Sequence, residues 1–129
     1  MARILSFSLD NETAHLLDKI ERKIEFRNRS ELIRSALQLL LREIDNLDEL
    51  KGHIGAILVV VHNQKQEEII SKLKHQFSDV IITQIHNNLH GQCLELFLLN
   101  GRSELIIEFF KQLKKSKSVE YAKLIQTHV

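Results

Sequence analysis

Three imidazoles and the chain's only thiol fall close together in the sequence, as His75, His86, His90 and Cys93. Imidazole nitrogen and thiolate sulfur are donors that transition metals favour, whereas calcium and magnesium prefer hard oxygen ligands. Singly, a strand histidine is an ordinary surface residue and a solitary cysteine packs as a small hydrophobe. Confined to one predicted helix end and one predicted hairpin, the four donors point to a metal site. Group-transfer chemistry is not expected, because the chain has no Gly-rich phosphate loop and no Ser or Cys nucleophile placed with a base and an orienting group.

The elements that must hold these donors read as a strand, helix, strand, strand, helix and strand. Residues 54–61 form a continuous apolar run typical of a buried strand, and residues 67–77 an amphipathic helix through Ile69, Ile70, Leu73 and Phe77. Residues 80–88 and 93–99 make a hairpin around His90-Gly91, and Asn100-Gly101 is expected to turn the chain. A helix over 103–115 and a strand over 119–127 follow. This βαββαβ order is the ferredoxin-like arrangement, an open sheet with helices on one face.

The first third of the chain has a different pattern. Residues 3–9 alternate, with Leu5, Phe7 and Leu9 on one side and Ile4, Ser6 and Ser8 on the other, as in a half-buried strand. Asp10 or Asn11 offers an N-cap for a helix over 12–24, and Ser30 one for a longer helix reaching residue 46. A lone strand leaves its backbone groups without partners, so this one needs a second copy. Two chains pairing their strands antiparallel would present Ile4, Ser6 and Ser8 together on a ribbon that fits the DNA major groove. Below this head, the acidic, Gly-ended run 45–52 marks the domain boundary, with 47–53 as the linker. The expected organisation is α+β: a DNA-binding head over 1–46, the linker, and a regulatory and oligomerisation domain over 54–129.

With its Asn28-Arg29-Ser30-Glu31 turn, the head resembles the ribbon-helix-helix family. That resemblance implies a phosphate clamp at Asn28, Arg29 and Ser30, consistent with the donors and positive potential of a helix N-terminus. Nearly the whole chain resembles the nickel-responsive (NikR-type) regulators, in which such a head precedes an ACT-like domain. His75, Asp79, Ile81-Ile82, His86, Cys93-Leu94-Glu95 and Asn100-Gly101 carry the likeness. It implies Ni(II) bound at a tetramer interface, with His75 contributed from one chain and His86 and Cys93 from another. The family's remaining imidazole position holds Asn88, at most a weak ligand. His90 could replace it if the turn bends it back, and a His75, His86, His90 and Cys93 set could also be tetrahedral. Nickel is the first candidate, with zinc, copper and cobalt next. Glu95 is expected to orient an imidazole. His15, His53, His62 and His128 have no recognisable spacing and are set aside.

Composition is consistent with this reading. The 129 residues are 43% hydrophobic, 27% charged and only 5% aromatic, with a net charge of +1, too small to reveal a nucleic-acid partner. A single cysteine excludes an internal disulfide. There is no apolar run of about 18 residues and no signal-like start, so the cytoplasm is the expected compartment and no membrane partner is expected. The expected activity is transcriptional repression at a double-stranded operator, by a homotetramer under metal control. One alternative is a regulator of the same architecture whose metal site has decayed and which answers to a small organic effector or to none. Another is a constitutive ribbon-helix-helix repressor or antitoxin. Single-stranded RNA binding is disfavoured because the strands lack an aromatic stacking set.

Overall fold

The computed structural model describes residues 2–127. His128 therefore lies outside the described residues. The chain divides into two compact units, the first ending at Asp45 and the second beginning at Asn46.

In the first unit, residues 2–10 carry no regular secondary structure in the single chain, so the expected strand is absent. The physical reason is the lack of a second strand to accept and donate its ladder hydrogen bonds. Helix α1 (Asn11–Ile24) starts at Asp10, whose carboxylate accepts the Thr13 amide at 2.7 Å, and ends at Glu25 in a left-handed conformation. Helix α2 (Arg29–Asp48) starts two residues earlier than expected. Its cap is Asn28, whose side-chain oxygen accepts the Glu31 amide at 2.9 Å, so Ser30 lies inside the first turn and is not the cap. An amide oxygen at position 28 reaches the third helical N–H, the usual N-cap bond, which Ser30 is too far along the chain to make. Arg29 ties the two helices together through Glu21 at 2.8 Å and Asp18 at 3.1 Å.

The second unit contains β1 (His53–Asn63), α3 (Glu67–Gln76), β2 (Ile81–Leu89), β3 (Gln92–Arg102), α4 (Ser103–Lys115) and β4 (Val119–Thr127). The strands form one antiparallel sheet in the order β2-β3-β1-β4, the ferredoxin-like arrangement. Burial in β1 alternates instead of being continuous: Ile54, Ala56, Leu58, Val60 and His62 are buried, while the residues between them are at most partly covered. The two helices cover a single sheet face, so an apolar run need not be buried on both sides. Beneath them Phe97, Ile106, Phe109, Leu113 and Ile70 form the centre of the core. Phe109 stacks on Phe77 at 5.1 Å between ring centroids and meets Phe97 edge-on at 5.5 Å.

Two backbone features set the edges of the sheet. His90 and Gly91 both have positive φ, 53° and 83°, as a two-residue hairpin turn of the primed type requires. Asn100 and Gly101 do not turn the chain but lie within β3, paired with Gly55 and Ile54. Glycine is needed at 101 for packing, because a Cβ there would lie 2.7 Å from Val80 Cγ1.

Candidate metal centre

Register places the donors. Directly opposed residues of neighbouring strands project from the same face of a sheet. On the helix-covered face, Cys93 of β3 is paired with Asn88 of β2 on one side and His62 of β1 on the other. One step along, Glu95 is paired with His86 and Val60. Three adjacent strands thus carry Asn88, Cys93 and His62 in one row and His86, Glu95 and Val60 in the next.

His62, His86 and Cys93 each offer a ligand atom within 4.8 Å of the other two. His62 and Cys93 are fully buried, and the His86 side chain is about one-third exposed. The His62 and His86 rings lie nearly parallel, with centroids 6.3 Å apart. Beside them Glu95 is completely buried and its carboxylate is engaged at both oxygens: His62 Nε2 lies 2.6 Å from Oε2, and Lys74 Nζ donates to Oε1 at 2.8 Å. His62 Nδ1 lies 3.2 Å from the Asn63 carbonyl oxygen. Burial pushes the Cys93 thiol above its ordinary pKa, and the Glu67 and Glu95 carboxylates push it the same way against the pull of Lys74. A protonated buried thiol ionises far more readily against a bound cation. Two imidazoles and a thiol next to a buried carboxylate suit an ion that accepts nitrogen and sulfur.

The structure therefore brings together two of the anticipated donors, His86 and Cys93, with a third, His62, that has no recognisable spacing in the sequence. His62 shares the parity of the buried β1 residues, and that was the available signal; its pairing with Cys93 emerges only once β1 is placed beside β3. Glu95 sits against the imidazole of His62, a histidine outside the expected ligand set. His90 is not in the cluster: β2 ends at Leu89, and the positive φ at 90 breaks the alternation that would have kept 86, 88 and 90 on one face. Asn88 remains opposite Cys93. His75 is exposed on α3, outside the cluster. His53 bonds Asn100 at 2.6 Å, with no donor partner in the metal group.

In the head, Ile4, Ser6 and Ser8 are all exposed, Ile4 almost completely at 97%. Asn28 is engaged as a cap and Arg29 by α1 carboxylates, while Ser30 is exposed in the first turn of α2. Among the described residues no helix is long and apolar enough to cross a membrane.

Comparison with known proteins agrees with this two-part layout. Residues 3–44 match the family of ribbon-helix-helix proteins of the copG type, and residues 55–127 match the NikR C-terminal nickel-binding domain. An uncharacterised transcriptional regulator of Methanocaldococcus jannaschii is 33% identical over 93% of both chains. A Methanopyrus kandleri protein provisionally named a nickel-responsive regulator is 34% identical over 84% of this chain and 82% of its own. The solved structure of an uncharacterised Thermotoga maritima protein, 18% identical, covers 58% of this chain and 98% of its own with a TM-score of 0.55, a likeness of fold. With both family models matched in order, the chain belongs to the NikR family of transcriptional regulators, with a DNA-binding ribbon-helix-helix head and a C-terminal domain of the nickel-binding type rather than an enzyme's active site.

Proposed function

We propose that this regulator represses transcription from a palindromic operator when its C-terminal domain binds a transition metal, with nickel the first candidate. The observation that supports it most is the convergence of His86 and Cys93, two positions that match the family's ligands, beside a buried carboxylate on one sheet face. Relatives provisionally named for a nickel response point to the same ion. The functional division would be a head over 1–46, a connector over 47–53 and a regulatory domain over 54–129.

Ile4, Ser6 and Ser8 of two paired chains would face the bases, and Asn28, Arg29 and Ser30 would meet the flanking phosphates. To reach a phosphate, Arg29 exchanges the Asp18 and Glu21 carboxylates for it, which selects a docked geometry over the free one. His75, exposed on α3, would complete the site of a neighbouring chain in a tetramer. When bound, the metal supplies strong bonds that join nitrogen and sulfur donors from different chains. Metal affinity must then differ between operator-competent and incompetent arrangements, since an ion held equally by both shifts nothing.

The test is selection of duplexes from a random pool by the full chain, with Ni(II) and with a chelator. A palindromic site enriched in Ni(II), with affinity at least tenfold lower in chelator and after Cys93→Ala, is the expected result. Equal enrichment in both conditions would mean a constitutive repressor.

A further inference from the structure

We infer that His62 supplies the imidazole that Asn88 cannot, so that a buried His62, His86 and Cys93 donor set is assembled within one chain, with the Glu95 carboxylate positioning the His62 ring. This inference rests on the reading that the regulatory domain binds a transition metal.

The sheet register carries the argument. Cys93 has two cross-strand neighbours on its own face, Asn88 and His62. Moving an imidazole from the β2 side of the thiol to the β1 side keeps it a directly opposed neighbour, at a Cα separation of about 5 Å in either case. The side chain at 88 carries an amide oxygen, a poor substitute for imidazole toward nickel, copper or zinc. His62 is fully buried and already within 4.8 Å of the other two donors. His90 has the required ring, but its turn keeps it out of the cluster.

The surroundings of His62 fit a ligand. Metal-binding histidines typically give their other ring N–H to a carboxylate, which fixes the tautomer and raises the basicity of the ligating nitrogen. Glu95 is such a carboxylate, 2.6 Å from His62 Nε2 and fully buried. Lys74 holds its second oxygen at 2.8 Å, so the carboxylate is fixed in place before a metal arrives. The other nitrogen, Nδ1, lies 3.2 Å from the Asn63 carbonyl oxygen, so with Nε2–H on Glu95 the ring must turn from that oxygen to offer the Nδ1 lone pair to an ion. The two imidazoles and the thiol arise from three different strands, so the sheet, and not a mobile loop, sets their separation.

The consequence is a division of labour between ligands. Three donors within one chain bind the ion at one per chain without waiting for a partner, and exposed His75 of a neighbouring chain adds the bond that links binding to assembly. Loss of His62 therefore weakens metal binding itself, whereas loss of His75 weakens the coupling of metal to operator affinity.

Two measurements on the full-length protein test this. In the first, Zn(II) is added to protein labelled with 15N in its histidine rings, and the His62 and His86 ring nitrogens should shift at one ion per chain while those of His90 stay unchanged. No variant is needed, so a folding defect cannot obscure the answer. In the second, Co(II) is titrated with thiolate-to-metal absorption as the readout. His62→Gln, which keeps an N–H donor for Glu95, should weaken binding by roughly 100-fold or more, beyond the usual loss from an altered outer partner. Adding Asn88→His to that variant should recover most of the affinity. Zinc-induced shifts at His90 with none at His62, or a folded His62→Gln that binds Co(II) as the parent does, would overturn the assignment while leaving metal binding intact. Absence of any Co(II) or Zn(II) binding to the parent protein would overturn the metal reading as well.

Discussion

Among residues 2–45 Leu32 is the one buried hydrophobic side chain, whereas residues 46–127 enclose a core running from Leu50 through Phe97 to Ala122. Ile4, Leu5, Phe7, Leu16, Ile20, Leu37, Leu40 and Leu41 of the head all remain exposed in the single chain. The sequence explains the contrast. Two helices and an extended arm cannot enclose their own apolar stripes, while a four-stranded sheet with two helices across one face can. The head leaves its apolar stripes uncovered in the single chain; the C-terminal unit covers its own core. Its second sheet face leaves Ile57, Ile85, Leu98, Tyr121 and Ile125 exposed.

The largest effect should come from damage to the self-contained half. Phe97 is fully buried between sheet and helices, edge-on to Phe109. Phe97→Ala should cost about 4 kcal/mol of unfolding free energy, from lost burial plus the cavity left behind. Urea denaturation followed by circular dichroism measures it. A cost under about 1.5 kcal/mol would mean that the core collapses around the gap and is less rigidly specified than its ring contacts imply.

A smaller and qualitatively different effect is expected in the head. Phe7 is 63% exposed in the single chain, so Phe7→Ala should leave unfolding of the regulatory domain unchanged. If two arms pair and bury that ring, the substitution should cost the paired head about 2 kcal/mol, roughly a 30-fold loss in dimer affinity. Concentration-dependent operator binding and sedimentation of the full chain both report it. Unchanged operator binding would place the second copy somewhere other than on the Leu5-Phe7-Leu9 face.

The same contrast governs what could be read without coordinates. Helix α4 and strand β4 fall at residues 103–115 and 119–127, as their periodicity implies, because local pattern and tertiary packing favour the same boundaries. His86 and Cys93 were legible because a short hairpin brings them near each other. His62 was not, since it meets Cys93 only through the non-local β1-β3 pairing. Gly101 looked like a turn residue and is instead a packing residue against Val80, a distinction that local sequence does not encode. The arm at 3–9 has the alternation of a strand, but a strand exists only where another one pairs with it.

The caps of the two head helices give the finest comparison. Asn28 holds the Glu31 amide at the start of α2, and Asn28→Ala should destabilise that helix by about 1 kcal/mol, read as faster amide exchange at Glu31 and Leu32. Because Asn28 is uncharged, this cap does not titrate.

Asp10 makes the matching bond to Thr13 at the start of α1, but through a carboxylate, and that hydrogen bond holds its pKa below the ordinary 3.8. The native state therefore binds a proton less readily there than the unfolded chain does, so the cap contributes its full stabilisation above the ordinary value. That contribution should fade as pH falls from 3.8 through the lower native value. Thr13 amide exchange, corrected for its intrinsic pH dependence, should accelerate in that window while exchange at Glu31 does not. Asp10→Asn should retain the cap and remove the difference between the two helices. If Thr13 still loses protection on acidification in that variant, the loss does not come from the Asp10 carboxylate, and the two caps do not differ in the way their hydrogen bonds imply.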